Sequence, residues 1–369
     1  MENPSFLFSV GAFLLLLGPL VFIHEMGHYL VGRWCGVKAD VFSIGFGREI
    51  FGWNDKSGTR WKVSMIPLGG YVQFAGDMNP ASQPDADMSD LSEAERNQTF
   101  QSKTLLQRAA IVFAGPAVNF LFAILIFAGF ALIYGNVVTP PLVENVEPGT
   151  AAAEYQLEEG DRILAINGED ISYFEDIRQH VMPWPGAAAT LLIERDGVQL
   201  EKQIELGTAY AEDRFGNKSP YGLLGIAPPK QIIEPVSLIE APGYGVEKTI
   251  NVVKLMVTTL GQIITGTRSI KEMGGVLKIG QVSGEQLAAG PTNFINLVAL
   301  ISINLGFINL LPIPMLDGGH LLFYAIEAVR RRPLGPNATE WAYRFGLSFV
   351  LLFMVVVTVN DLLSFRLLG

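Results

Sequence analysis

Cysteine and histidine are both scarce in this chain of 369 residues, and the scarcity of cysteine excludes two kinds of structural site. Cys35 is the single cysteine, so the chain can form neither an internal disulfide nor a cysteine-rich zinc site. Only four histidines occur. The 26 lysines and arginines are outnumbered by 36 acidic residues and form no basic stripe, so nothing indicates binding to nucleic acid.

Apolar sequence is abundant instead. Hydrophobic residues make up 49% of the chain and the mean hydropathy is +0.32, which is higher than soluble globular proteins usually show. Four segments are long and apolar enough to cross a bilayer, and they cover residues 6–31, 105–134, 294–311 and 341–363. The first segment has no basic start, so we expect a retained span and not a signal peptide. We expect Pro116 to kink the second span, and Pro312 and Pro314 to break the third.

Lysine and arginine are concentrated in two of the connecting loops. The loop after the first span carries Arg33, Lys38, Arg48, Lys56, Arg60, Lys62, Arg96, Lys103 and Arg108. The loop after the third span carries Arg330, Arg331 and Arg332. Short cytoplasmic loops are enriched in these residues, so the pattern predicts that both loops are cytoplasmic. Both termini and residues 138–290 then lie on the other side of the membrane.

A metal-binding pattern lies inside the first apolar segment. His24 and His28 are four positions apart, which places both imidazoles on one face of a helix. Such a pair can hold Zn²⁺, and Glu25 between them is suited to act on a water at the metal. Ionisable residues at membrane depth cost about 2.5–3.5 kcal/mol each, which favours a functional interpretation over helix packing.

A catalytic zinc usually has three protein ligands, so a third ligand is needed from elsewhere in the chain. Asp317 is the best candidate, because it follows the Pro312–Pro314 segment at the cytoplasmic end of the third span. His320, three residues later, is the competing candidate by residue type. The remaining histidine, His180, lies in the segment on the other side of the membrane and is interpreted as a groove or surface residue.

Three motifs, taken in order, resemble the signature motifs of the site-2 protease family. They are His24-Glu25-Met26-Gly27-His28, Gly115-Pro116-Ala117-Val118-Asn119, and the segment 309–318, which reads Asn-Leu-Leu-Pro-Ile-Pro-Met-Leu-Asp-Gly. Their order, spacing and placement in the spans are similar to those of the bacterial enzymes of regulated intramembrane proteolysis. Without the resemblance, Asn119 and Asn309 are explained by hydrogen bonds between helices as well as by a role at the site.

The resemblance implies an intramembrane zinc metalloprotease of the bacterial inner membrane. Its substrates would be single-span membrane proteins, such as anti-sigma factors or signal-peptide remnants, cut within their transmembrane segments. The site residues that it implies are Glu25 as the catalytic acid/base, His24, His28 and Asp317 as zinc ligands, and Asn309 and Asn119 as substrate-positioning residues.

Two extramembrane elements are expected. Residues 60–74 alternate in polarity around a Gly-containing turn at 67–70, which predicts a hairpin with strands at 60–66 and 71–74. This hairpin resembles the membrane-associated β-element of the family. Short strands, glycine turns and one or two helices after residue 138 predict a small α+β module, which resembles a single PDZ domain.

The fold class is therefore a multi-pass α-helical membrane protein with four transmembrane helices, a cytoplasmic-side β-hairpin and an inserted α+β PDZ domain. We expect four regions: 1–137 with the first two spans and the hairpin, 138–230 as the PDZ domain, 231–290 as a linker with an amphipathic helix, and 291–369 with the last two spans.

Two other functions remain as alternatives. A non-enzymatic membrane adaptor with a structural zinc site would explain the PDZ module, but it leaves Glu25 without a role at a costly depth. A metal transporter would explain the ligands, but the chain has no inverted repeat and no histidine-rich loop.

Overall fold

The structure is a computed structural model that describes residues 4–76, 92–212, 218–267, 274–332 and 334–364. The chain divides into two compact units. The first contains the described residues up to 126 together with 274–361. The second contains the described residues between 127 and 267, together with 362–364.

Four helices among the described residues are long and apolar enough to cross a membrane. They are α1 (Phe6–Trp34), α3 (Leu105–Tyr134), α8 (Pro291–Asn309) and α10 (Pro336–Ser364). The four predicted spans are thus confirmed to within a few residues at each end. Helix α8 ends before Pro312 and Pro314, which cannot donate backbone hydrogen bonds to continue it. Helix α3 continues through Pro116 without an interruption.

Three shorter helices complete the helical part of the first unit: α2 (Glu93–Arg96), α7 (Val276–Ala289) and α9 (Asp317–Arg330). The buried carboxylate of Asp361 on α10 accepts the backbone N–H groups of Gly275 and Lys278 at 3.0 and 3.2 Å. It thereby caps the start of α7, because the first N–H groups of a helix have no partner within the helix. Leu16 and Leu20 of α1 pack with Phe294 of α8 in the core.

A β-hairpin is present, but the prediction of strands at 60–66 and 71–74 with a turn at 67–70 is wrong. Residues 60–74 form one strand, β2 (Arg60–Phe74), whose partner is β1 (Ala39–Asn54). The chain reverses at Asp55, whose Oδ1 accepts the N–H groups of Ser57 and Thr59 at 2.8 and 2.9 Å. This local hydrogen bonding makes an Asx-type turn, a stronger signal than the glycines at 69 and 70. Those glycines lie within β2 instead.

The hairpin also folds back on itself. Phe42 of β1 is opposite Val72 in one part of β2 and opposite Trp61 in another. The Phe42 and Trp61 rings stack at 4.3 Å between centroids. Phe42, Val72 and Phe74 enter a core that also contains Phe100 and Ile111, so the hairpin is fixed against the helices that carry the site.

Among its described residues, the second unit contains short strands, three helices of its own and the end of α3. Its strands are β3 (Asn136–Val138), β4 (Asn145–Val146), β5 (Arg162–Ile166), β6 (Glu169–Asp170), β7 (Ala188–Arg195), β8 (Val198–Glu205), β9 (Gly207–Glu212), β10 (Lys218–Leu223), β11 (Ile226–Ala227) and β12 (Ile232–Glu234). Its helices are α4 (Ala151–Glu154), α5 (Phe174–Val181) and α6 (Ala241–Ile264). Helix α6 lies within residues 231–290, the segment in which an amphipathic helix is expected.

The main sheet of this unit has the strand order β6-β5-β7-β8. Ile163, Leu191 and Ile193 alternate along β5 and β7 and are fully buried. They share a core with Phe174 and Ile177 of α5. Alternating burial of this kind is expected for a sheet with one face covered by helices.

Candidate metal centre

Helix α1 brings two imidazoles to one point. His24 and His28 lie one turn apart, and their Nε2 atoms are separated by 3.3 Å. The two rings meet edge to face with centroids 4.9 Å apart. Both side chains are largely buried. The helical spacing expected from the sequence is therefore realised in the geometry.

Asp317 reaches the same point from the other end of the chain. Helix α8 ends at Asn309, and the turns that follow include Met315 with a φ of 90° before α9 begins at Asp317. The Asp317 Oδ2 atom lies 3.2 Å from Nε2 of His24 and 3.6 Å from Nε2 of His28. Among the described residues, these three form the one group of His, Cys, Asp or Glu side chains with metal-binding spacing.

Helix α3 holds both rings by their other nitrogen. The Nδ1 of His28 lies 2.9 Å from the backbone carbonyl of Ile111, which can only accept, so this nitrogen is the donor. The Nδ1 of His24 lies 3.0 Å from the side-chain amide of Asn119. Both Nε2 atoms are thereby directed towards Asp317. Metal-binding histidines characteristically use the second ring nitrogen in this way.

The three converging atoms fit a zinc ion. Their separations of 3.2, 3.3 and 3.6 Å form a nearly equilateral triangle, so the point equidistant from all three lies about 2 Å from each. Zinc binds histidine nitrogen and carboxylate oxygen at about 2.0–2.2 Å. The Asp317 Oδ2 atom is buried and has no hydrogen-bond partner, so it has the capacity to bind an ion.

Glu25 lies beside this group and against strand β2. Its side chain is buried, and its carboxylate accepts a hydrogen bond from the backbone N–H of Val72. A Cβ added to Gly70 would lie 2.6 Å from the Ser43 carbonyl oxygen and 3.0 Å from Cγ of Glu25. Only glycine permits this close approach of the strand to the acid.

Gly115 allows α3 to approach the imidazoles. A Cβ at this position would lie 2.2 Å from Nε2 of His28 and 2.9 Å from Cε1 of His24. Neither this role nor that of the Ile111 carbonyl is evident from residue types. A signal does exist, because positions 111, 115 and 119 are spaced by four and share one face of α3.

The other residues singled out in the sequence, His320, Asn309 and His180, lie outside this group of three converging side chains. His320, the competing ligand, lies outside the group, and its Nδ1 is 3.2 Å from the hydroxyl of Tyr343 on α10. Asn309 is the last residue of α8 and is partly exposed. His180 lies in the second unit, where its Nε2 is 3.0 Å from a carboxylate oxygen of Glu169.

The sequence is similar, along nearly its whole length, to proteins that carry the name of metalloproteases. A protein of Agrobacterium fabrum with the name "Putative zinc metalloprotease" is 45% identical over 95% of this chain and 95% of its own length. A protein of Rhizobium meliloti with the same kind of name is 42% identical over 96% of each chain. Metalloprotease MmpA of Caulobacter vibrioides is 36% identical over 97% of this chain and 96% of its own.

Comparison with solved structures finds a likeness to the PDZ domain of an SdrC-like protein from Listeria monocytogenes. It covers 26% of this chain and 88% of that chain, with 21% sequence identity and a TM-score of 0.19.

The family model of peptidase family M50, the site-2 proteases, matches residues 12–353 and so includes all three motifs. This match confirms the resemblance drawn from those motifs, and with it the prediction that the chain is a metalloendopeptidase with membrane helices. The chain therefore belongs to peptidase family M50.

Proposed function

We propose that this peptidase is a zinc-dependent intramembrane protease that cuts single-span membrane proteins within their transmembrane segments. The observation that carries the proposal is the convergence of His24, His28 and Asp317, beside Glu25, on and around an apolar helix of spanning length. Zinc is the ion named for the relatives from Agrobacterium and Rhizobium, and the N, N, O ligand set suits it.

The roles of the site residues follow from their positions. His24, His28 and Asp317 would hold the zinc ion, which supplies a Lewis acid that polarises the scissile carbonyl and acidifies water. Glu25 is buried beside these ligands, so it accepts the proton of the attacking water and returns it to the leaving amine. We assign substrate positioning to Asn309, which is partly exposed at the end of α8.

The β-hairpin offers a way to hold the substrate backbone. A peptide bond inside a helix is protected by the hydrogen bonds of that helix, so the substrate has to unwind before cleavage. Residues 70–73 of β2 each pair with β1 on one side, and this part of the strand borders Glu25. An unwound segment added as a further strand beside this part of β2 would regain its backbone hydrogen bonds close to the acid.

We assign the orientation in the membrane from the lysines and arginines of the loops. The loops after α1 and α8 would face the cytoplasm of a bacterial cell, across its inner membrane, and the PDZ-like module of residues 138–230 would lie outside. The chain has a net charge of −10, which does not favour binding of a carboxylate, so we favour a size filter over capture of a new C-terminus for this module.

The substrates would be anti-sigma-factor-like proteins or signal-peptide remnants. The alternative of a non-enzymatic adaptor with a structural zinc site is less favoured, because it gives no role to the buried Glu25 and does not account for membership of a peptidase family.

The substitution Glu25→Gln tests this function. The full-length variant in detergent is expected to bind zinc as the wild type does, because Glu25 is not among the three converging ligands. Cleavage of a panel of single-span peptides should fall to background, and phenanthroline should abolish it in the wild type. Glu93→Gln, at an exposed position of α2, is the matched control and should cleave normally.

Mass spectrometry of the products locates the cut. Cuts within the apolar segment of the peptides support intramembrane proteolysis, whereas cuts confined to the flanks point to a protease of exposed segments. Cleavage by Glu25→Gln at the wild-type rate would remove the proposed mechanism.

A further inference from the structure

Asn119 is buried completely, and its side chain faces a metal ligand. Its amide lies 3.0 Å from Nδ1 of His24, and its exposed fraction is 0%. Its backbone carbonyl accepts a hydrogen bond from the hydroxyl of Ser302 on α8 at 2.8 Å. Ser302 is also fully buried. The asparagine is therefore fixed at both its backbone and its side chain.

Zinc binding determines which atom of the amide must face His24. The Nε2 of His24 is directed towards Asp317, so it needs its lone pair for the ion, and Nδ1 carries the hydrogen. In the structure Nδ2 of Asn119 faces Nδ1, and Oδ1 is buried without a hydrogen-bond partner. Two donors cannot hydrogen bond to each other. Ligation therefore selects the amide orientation in which Oδ1 accepts from Nδ1, and the two orientations have the same shape.

Helix α3 also provides a hydrogen-bond acceptor for the second histidine, His28. The Ile111 carbonyl accepts from Nδ1 of His28, and Asn119 lies two turns further along the same face of α3. Gly115, midway between them, leaves space for both rings. One face of α3 thus provides an acceptor for each of the two histidines on α1, and between the two acceptors Gly115 leaves space for the rings.

We propose that Asn119 is a positioning residue for His24, and that it acts through the zinc ligand instead of contacting the substrate. The inference rests on the proposed function only in that His24 binds the metal. One end of the Asn119 amide is engaged by an imidazole, and the other end is buried, so neither end is accessible to a peptide. Asn309 is the contrasting case, because it is partly exposed where α8 ends.

Zinc affinity distinguishes the two roles. The full-length variant Asn119→Ala, stripped of metal and titrated with zinc against a competing chelator, is expected to bind zinc about 10–100-fold more weakly, as is usual when the partner of a metal-binding histidine is removed. At saturating zinc, its KM for a single-span peptide should stay within about twofold of the wild-type value, while kcat falls. Asn309→Ala should give the opposite result, with a raised KM and unchanged zinc affinity.

Asn119→Asp provides the rescue. A carboxylate keeps an acceptor at the same distance from Nδ1 of His24, so zinc affinity should equal or exceed that of the wild type. If Asn119→Ala does not fold, the comparison is made between Asn119→Asp and Asn119→Leu, of similar size, by the visible spectrum of bound Co²⁺. The proposal is overturned if Asn119→Ala raises KM without changing zinc affinity, or if Asn119→Asp binds zinc as weakly as Asn119→Ala. These binding measurements need no proteolysis, so they stand even if the Glu25→Gln test fails.

Discussion

Two carboxyl groups with buried oxygen atoms, one in each unit, have opposite surroundings. Asp161 in the second unit is fully buried, and its two oxygens accept hydrogen bonds from Nε and Nη2 of Arg195 at 2.6 and 2.7 Å. The backbone N–H of Glu158 donates to it at 2.9 Å. Burial alone would raise the pKa of Asp161, but the hydrogen bonds from Arg195 and Glu158 hold it below its usual value.

Asp317 in the first unit has no such donors. The atoms around its Oδ2 are the Nε2 atoms of His24 and His28, and both rings already use Nδ1 elsewhere. When both rings are neutral and carry their hydrogen on Nδ1, as metal ligation requires, three lone pairs converge and no hydrogen lies between them. The comparison separates two kinds of buried polar cluster: one is completed by the protein itself, and the other is completed only by a cation.

The largest expected effect comes from exchanging each carboxylate for its amide. Asp317→Asn should weaken zinc binding by more than about 100-fold, since a ligand is lost and not merely its orientation, and cleavage should fall to background. Asp161→Asn should leave both properties intact. Zinc content of the purified proteins and peptide cleavage measure the contrast. Full zinc occupancy in Asp317→Asn would contradict the assignment of the third ligand.

Gly115→Ala should produce the next largest effect on the metal centre. The added methyl group would lie 2.2 Å from Nε2 of His28, so the ring or the helix has to move. We expect a loss of zinc affinity of about 10–100-fold, similar to that for a misoriented ligand. Gly129→Ala is the matched control on the same helix, because its Cβ would meet nothing within 4 Å. Equal zinc affinity in the two variants would show that α3 does not constrain the rings.

Much of this centre could be predicted from residue types and helical spacing. His24, Glu25 and His28 are local in sequence, and a helix alone brings the two imidazoles together. The choice between Asp317 and His320 is not local, because both follow the same proline-containing segment. It depends on where α9 begins and on Tyr343, a residue of another helix that lies beside His320.

The hairpin marks another limit of prediction. Alternation in residues 60–74 correctly indicates extended structure, but pairing is decided by a distant partner, β1, and by the hydrogen bonds of Asp55. A local glycine signal cannot compete with pairing to a long strand that continues along much of β2. The role of Asn119 is similarly hidden, because it requires knowing which ring nitrogen lies beside it.

Asp161→Asn should lower the stability of the second unit without changing zinc binding or peptide cleavage. Removing the charge leaves Arg195 only the more exposed carboxylate of Glu158 and the backbone carbonyl of Gln156 as partners, and breaking a buried pair costs about 3–5 kcal/mol. The Arg195 side chain is 22% exposed to solvent, so we expect a loss of stability near the lower end of this range, about 3 kcal/mol. Hydrogen exchange of the β5 and β7 amides in the full-length protein measures it, and exchange at the wild-type rate would show that the ion pair contributes nothing.

The same pair predicts a dependence of stability on pH. The folded-state pKa of Asp161 lies below its unfolded value, so its contribution is present above the unfolded pKa, about 4, and is lost as the pH falls through the folded value. Protection of β5 and β7 should therefore decrease in the wild type below about pH 4. In Asp161→Asn this part of the pH dependence should be absent, and an equal decrease in both proteins would assign it to other groups.

The smallest effect is expected from the ion pair that most resembles the metal centre in residue type. His180 lies 3.0 Å from a carboxylate oxygen of Glu169, and its hydrogen bond lowers the pKa of that carboxyl, but Glu169 is 62% exposed. Water solvates both groups in the absence of the pair, so His180→Ala should change the stability of the second unit by no more than about 0.5 kcal/mol, and less in high salt. Zinc content should not change. A larger loss, measured by the same amide exchange, would mean that exposure is not what distinguishes this histidine–carboxylate contact from the one that Asp317 makes with His24 and His28.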